Sequence, residues 1–198
     1  MNSPRYALAG LLLRFARTRV VFDGGPGAEP VGRVDSWLVT GERSELRTAL
    51  RRLAAGHGVA PAMAGYTAGD LRVRPHPVAH TSHPTCGYAI RARNRLVVWA
   101  PEFWQFPAWA AGADLMFAEA AAWDRPIRFR GGVGGHASVR SIAAQAEQLG
   151  VRRLVYAHIG RPVIRAIDAG LRPPAGEWGV EGLSYQVRVG NPQLRPNR

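Results

Sequence analysis

Apolar and polar positions along the chain follow two periods. Residues 7–15 and 19–22 are apolar runs followed by Asp23-Gly24-Gly25-Pro26-Gly27, which predicts two strands closed by a turn. Residues 36–39 form a short apolar strand. After it Leu46, Leu50 and Leu53 recur at helical spacing, with Ser44 placed as an N-cap and Gly56 and Gly58 as stops. Residues 71–78 alternate like a strand, 87–90 and 96–100 read as a strand pair turned at Arg93-Asn94, and 114–120 as a buried strand. A second helix starts near Ser138, with Val139, Ile142, Ala143, Ala146 and Leu149 on one face and Gly150 closing it. Residues 151–159 then read as a strand running into His158, 162–169 as a short helix and 185–189 as a last strand. Strands outnumber helices, which predicts two sheets with helices outside them, an α/β or α+β sandwich. No fixed repeat or linker divides residues 1–198, so they read as one domain, with a polar, Pro-bearing tail over 190–198.

Composition narrows this picture. Apolar residues make up 46% of the chain, ample for a core, and no apolar run approaches the ~18 residues of a membrane span. The opening MNSPRYALAGLLLRF runs into Arg14 and Arg17 with no cleavage-like site, so it reads as a first strand rather than a signal peptide. A single cysteine, Cys86, excludes an internal disulfide framework and points to a reducing cytoplasm, with a small buried thiol as its simplest role. The net charge is +12, and all 26 basic residues are arginine. Such a chain attracts polyanions. The arginines are scattered, however, and no aromatic-interleaved signature accompanies them. Nonspecific attraction to nucleic acid is the expectation, not a dedicated reader.

Candidate chemistry gathers at strand ends. His80 follows LRVRPHPVA, His158 lies in LVYAHIG and His136 in GGVGGHAS. Glu102 sits just past a strand in VVWAPEFW, and Glu119 lies in DLMFAEA. Side chains at the ends of neighbouring strands converge on one sheet edge, and imidazoles with carboxylates there suit zinc, manganese or iron. Each histidine taken alone reads equally as a hydrogen-bonded structural residue. His57 and His76 have no matching role and are placed on the surface or in loops.

The stretch VAHTSHPTCGYAIRARNRLVVWAPEF, then ADLMFAEA, then GGHASVRSIAAQAEQLGVRRLVYAHIGRP resembles the second half of the metallo-β-lactamase superfamily. It is most similar to the phosphodiesterase branch that includes tRNase Z and the cyclic ribose-phosphate phosphodiesterase of phosphonate breakdown. PPAGEWGVEGLSYQV resembles that branch's C-terminal segment, and RVVFDGGPG the superfamily's early strand and Asp-Gly turn. The resemblance implies an αββα sandwich with its site at the sheet edges. In the family, the turn equivalent to LVTGERSEL carries H-x-H-x-D-H, the start of a two-metal site. Here those ligand positions are Gly41, Arg43, Glu45 and Leu46. The resemblance therefore implies at most one divalent ion, held by His80, Glu102, His158 and Glu45, with His136 matching a histidine that protonates a leaving group.

Arg43 reads either as a guanidinium replacing the lost metal charge among Glu45, Glu102 and Glu119, or as a surface residue at a helix start. His83, three residues from His80, is a candidate for recruitment to a rearranged site. Trp99, Phe103, Trp104, Phe106 and Trp109 around Glu102 read as core or as an apolar lid. Three functions stay open: a diverged one-metal hydrolase of phosphodiesters or related esters; a metal-free module that holds an anionic ligand in the old cleft; and a structural partner that acts by homo-oligomerisation.

Overall fold

A computed structural model describes residues 5–42 and 47–188. β1 (Gly10–Phe15) and β2 (Thr18–Asp23) form an antiparallel hairpin with Leu11 opposite Phe22. β3 (Ser36–Leu38) runs parallel to β2, and α1 (Arg47–Gly56) leads to β4 (Pro61–Ala62), parallel to β3. Together they make a four-stranded sheet in the order β1-β2-β3-β4. β5 (Tyr66–Ala68), β6 (Leu71–Pro77), β7 (Cys86–Ala92) and β8 (Arg95–Ala100) form an antiparallel meander, which β9 (Leu115–Ala120) extends in parallel. β10 (Ile127–Arg128) and β11 (Gly135–His136) form a separate small hairpin. After α2 (Val139–Gln148) comes β12 (Leu154–Ile159), then α3 (Arg161–Asp168) and β13 (Glu177–Trp178). The second sheet has the order β13-β12-β9-β8-β7-β6-β5.

Three apolar layers follow from the side-chain alternation of strands. Between the sheets, Val20, Phe22 and Leu38 meet Leu71, Tyr88, Trp99 and Phe117. Outside the first sheet, Val21, Trp37 and Val39 pack with Leu50 and Ala54 of α1. Outside the second, Val98, Met116 and Ala118 pack with Ile142 and Ala146 of α2 and Val163 of α3. The result is a helix–sheet–sheet–helix sandwich. β9 is buried along its whole length because both of its faces are covered. β6, β8, β9 and β12 all run in the same direction, so their C-terminal ends share one edge of the sheet.

Several elements differ from expectation. The strand expected over 185–189 is not formed by residues 185–188; β13 pairs with β12 instead. β4, β5, β10 and β11 have two or three residues each, too few for a period to register. His76 lies within β6, its ring stacked 4.9 Å from Trp109. His57 follows α1 with its ring 6.1 Å from Trp37. Ser138 caps α2 as expected, its Oγ accepting from the Ser141 amide. Burial pushes the Cys86 thiol up to about 12, which suits an inert core residue. The expected N-cap Ser44, with Leu46 and the tail over 190–198, lies outside the described residues. No helix among the described residues is long and apolar enough to cross a membrane.

Candidate metal centre

The shared strand edge collects His80, three residues past β6, Glu102, two past β8, Glu119 within β9 and His158 within β12. His158 does not continue its ladder. The register of β12 against β9 shifts between Tyr156 and Ile159, and His158 adopts φ 49°. A left-handed residue at a bulge re-aims its side chain, here towards the acids.

Glu102 stands between two imidazoles. Its Oε1 lies 3.1 Å from His158 Nε2 and its Oε2 3.5 Å from His80 Nε2. The other nitrogen of each ring is committed behind the site. His80 Nδ1 is 2.9 Å from the Gly135 carbonyl, an acceptor only, so Nδ1 carries a proton and Nε2 is the nitrogen left to the cleft. His158 Nδ1 is 3.2 Å from Glu119 Oε1. Outer partners of this kind set the tautomer and orientation of metal-binding histidines.

Glu119 is fully buried and fully engaged. Oε1 also accepts from the Ala121 amide at 2.8 Å, while Oε2 accepts from the Phe103 amide at 3.2 Å and meets His136 Nδ1 at 2.7 Å. Burial pushes its carboxyl up, but the His136 and His158 hydrogen bonds and charges outweigh that and hold it down to about 2. For His158 burial disfavours the charged ring, yet Glu119 and Glu102 win and leave its pKa raised.

The glycines of GGVGGHAS explain how His80 is fixed. A Cβ on Gly134 would lie 2.0 Å from the His80 carbonyl oxygen, and one on Gly135 would lie 1.9 Å from that of Ile127. Without side chains the loop closes on His80, and the Gly135 amide donates back to its carbonyl at 2.9 Å.

His80, Glu102, Glu119, His136 and His158 are thus brought together. Buried His80, Glu119 and His136 form a group able to hold a metal ion, one ligand atom of each lying within 4.8 Å of the others. His136 is 4% exposed and sits behind Glu119, not on the cleft wall; Glu119, expected among the residues of the cleft, is sealed beneath it. His83 is exposed at the rim. Glu45 and Arg43 lie outside the described residues. Trp99 and Phe103 are core, while Trp104, Phe106 and Trp109 are half-buried.

Sequence reading took Asp23 only as part of a turn. Its Oδ1 accepts from the Thr40 amide at 2.8 Å and from Thr40 Oγ1 at 3.0 Å, and its Oδ2 from Trp99 Nε1 at 2.7 Å. Burial nevertheless pushes its carboxyl up to about 6, with nearby Glu102 adding to the effect against those donors. An Asp ending an apolar strand before two glycines was the available signal.

A sandwich with imidazoles and carboxylates at the ends of its parallel strands defines a class, and the sequence places the chain in it. The profile of the family described as beta-lactamase superfamily domain matches residues 28–159, and the chain belongs to that family. Its fold is similar to the metallo-beta-lactamase fold protein YhfI from Bacillus subtilis, with TM-score 0.64, 14% identity and coverage of 89% of this chain and 90% of that one. It is similar also to a diphosphatase from the PhnP family, with TM-score 0.65, 14% identity and coverage of 90% and 83%. A third is Zn(2+)-bound PqqB from Methylobacterium extorquens, with TM-score 0.63, 14% identity and coverage of 90% and 87%. No curated protein matches the sequence.

Proposed function

We propose that this chain is a diverged hydrolase of phosphodiesters or related esters that works with no more than one divalent ion. One observation carries the reading: His80 and His158 turn Nε2 towards the two oxygens of Glu102 while Nδ1 of each ring is tied down behind. Two imidazole nitrogens and a carboxylate fit zinc, manganese or iron by donor type, and Glu45 is the fourth donor we propose. Such an ion, when bound, lowers the pKa of water and polarises a phosphoryl or carbonyl oxygen.

The chain's own groups have separate tasks. Glu119 fixes the ring planes of His158 and His136 through Nδ1 of each. His136 acts from behind Glu119, a positioning role that replaces direct protonation of a leaving group. Glu102, 29% exposed, lines the cleft between the two rings and is the base we propose. The exposed His83 ring stands where a substrate would enter. A net charge of +12 supports an anionic substrate and salt-sensitive attraction to nucleic acid. The family profile and the zinc-bound neighbour support a metal-using site.

A second reading has its own observation. Glu102 already lies within ion-pair distance of both His80 and His158, so the cleft's charge is balanced without an ion, as a metal-free binding module requires. Elemental analysis after dialysis against a weak chelator decides. The proposal expects about one transition metal per chain and hydrolysis of bis(p-nitrophenyl) phosphate. Two ions per chain overturn the stoichiometry, and none selects the binding module. Binding to RNA fragments should weaken steeply with salt and show little sequence preference; tight binding that survives high salt would refute the electrostatic account.

A further inference from the structure

The sandwich has an open seam along one side. β1 is the last strand of its sheet, paired with β2 on one edge. Among the described residues, no ladder occupies its other edge. Across from it run residues 183–188, LSYQVR; they include most of the strand expected over 185–189 and join no ladder. Between them lies a cavity of about 1250 Å³ that reaches the candidate site. Every residue from 6 to 15 and from 179 to 188 lines it. Successive side chains of a strand point to opposite faces, so when consecutive residues all border a space, the backbone edge itself faces that space.

The seam is apolar at its floor, and along its β1 wall the open backbone edge supplies the polar groups. Leu71, Ile90, Leu115 and Phe117 of the second sheet form the floor, with Leu13 and Tyr185 beside them. Tyr185 Oη is buried there and has no hydrogen-bond partner among the described residues. At the end away from the site stand the exposed Arg14 and Arg188.

We propose that the seam is a docking groove for an extended segment of another polypeptide, added as a strand between β1 and residues 183–188. Three features favour a strand. An alkyl chain would cover the open N–H and C=O groups of β1 and leave them unpaired, whereas a peptide backbone pairs them. Added strands draw affinity from such ladders and specificity from alternate side-chain pockets. The apolar floor selects apolar residues at alternate positions, and Arg14 with Arg188 selects an acid at one end. The chain's own tail, VGNPQLRPNR, fits poorly by composition, since it offers a single leucine between two prolines. This inference stands apart from the hydrolase reading, because it needs no metal and no activity.

The test is selection of the full chain against a displayed random octapeptide library, followed by synthesis of the enriched peptides. The expected binders alternate apolar residues and end in an acid, weaken at least tenfold when alternate backbone amides are N-methylated, and slow hydrogen exchange at Leu12 or Arg14, whose amides face away from β2. Leu13→Glu should abolish binding with an unchanged circular dichroism spectrum. Should that variant misfold, the N-methyl comparison still decides. No enriched peptide, or binders indifferent to N-methylation, would overturn the proposal. So would protection of the β1 amides that appears only as the chain dimerises in ultracentrifugation, or protection by dodecyl phosphate equal to that by peptide. Those two results would put a second copy or an alkyl chain in the seam.

Discussion

The two sheets bring carboxylates to the same edge of the sandwich and use them differently. In the first sheet, Asp23 spends both oxygens on Thr40 and the Trp99 indole, so it fastens one sheet to the other. In the second, Glu102 faces two imidazole nitrogens whose partner nitrogens are already committed. Glu119 resembles Asp23 in being saturated, but two of its partners are imidazoles, His158 at the cleft and His136 behind it. A carboxylate surrounded by amide and hydroxyl donors is structure; one that faces two imidazole nitrogens at the cleft is available for chemistry. Among the described residues, the first sheet brings no histidine to this edge.

The contrast breaks hardest at Glu119. Glu119→Ala strands two amides and two imidazoles, one buried and one part-buried, and removing one member of a buried charged pair costs about 3–5 kcal/mol. Urea unfolding of the metal-free protein should show that loss as a lower midpoint at unchanged slope. A loss below ~1 kcal/mol would mean that Glu119 does not organise the edge. Glu119→Gln, which keeps the shape, should weaken metal binding about 10–100-fold, as outer partners of metal ligands do. His158→Ala should abolish binding. Equilibrium dialysis separates the cases, and an equal loss of metal in Asp23→Asn would erase the distinction between the sheets.

The two acids should also tilt the pH profile in opposite directions. Glu119 has its pKa lowered from 4.5 to about 2, so its stabilisation is complete above about pH 4.5 and is lost as pH falls towards 2. Asp23 has its pKa raised from 3.8 to about 6, so the folded state holds a proton that the unfolded state releases, and stability declines as pH rises between those values. His158, raised above 6.5, adds stability that is present below 6.5 and disappears as pH climbs through its folded value. In Asp23→Asn the Asp23 slope vanishes. Relative to the native chain, this variant should therefore gain about 1–3 kcal/mol between pH 4 and pH 7, read from urea midpoints at each pH. A flat difference would remove Asp23 as a titrating fastener.

Much of this edge was legible before the structure. Strand ends at His80, Glu102 and His158 follow from apolar runs that stop at polar residues, and the order of motifs implied the sandwich. What escaped depends on contacts between distant segments. In ADLMFAEA an acid interrupts an otherwise apolar stretch, the mark of a buried carboxylate that needs partners, but nothing local says that those partners are His136 and His158. The left-handed backbone of His158 comes from a bulge against β9, a relation no period reveals. Residues 185–188 have the alternation of a strand and no neighbour to pair with, so local propensity and tertiary structure part there. Arg43 and Glu45, on which the reading of LVTGERSEL turned, lie outside the described residues.

The mildest change sharpens the contrast most. Thr40 donates both its amide and its hydroxyl to Asp23 Oδ1, and Trp99 holds the other oxygen. Thr40→Val keeps the side chain's shape and the amide bond and removes the hydroxyl alone. The lost hydrogen bond to a buried carboxylate should cost about 1–2 kcal/mol. Because the hydroxyl helps to stabilise ionised Asp23, its removal should cost more at pH 8 than at pH 4, where Asp23 is protonated in the folded state. Metal content should stay at the native level, since neither Thr40 nor Asp23 reaches the nitrogens of His80 or His158. Urea midpoints at the two pH values, with elemental analysis of the same samples, test both halves of the expectation. A variant that lost metal while keeping its stability would make the first sheet part of the site, and the division of labour between the sheets would fail.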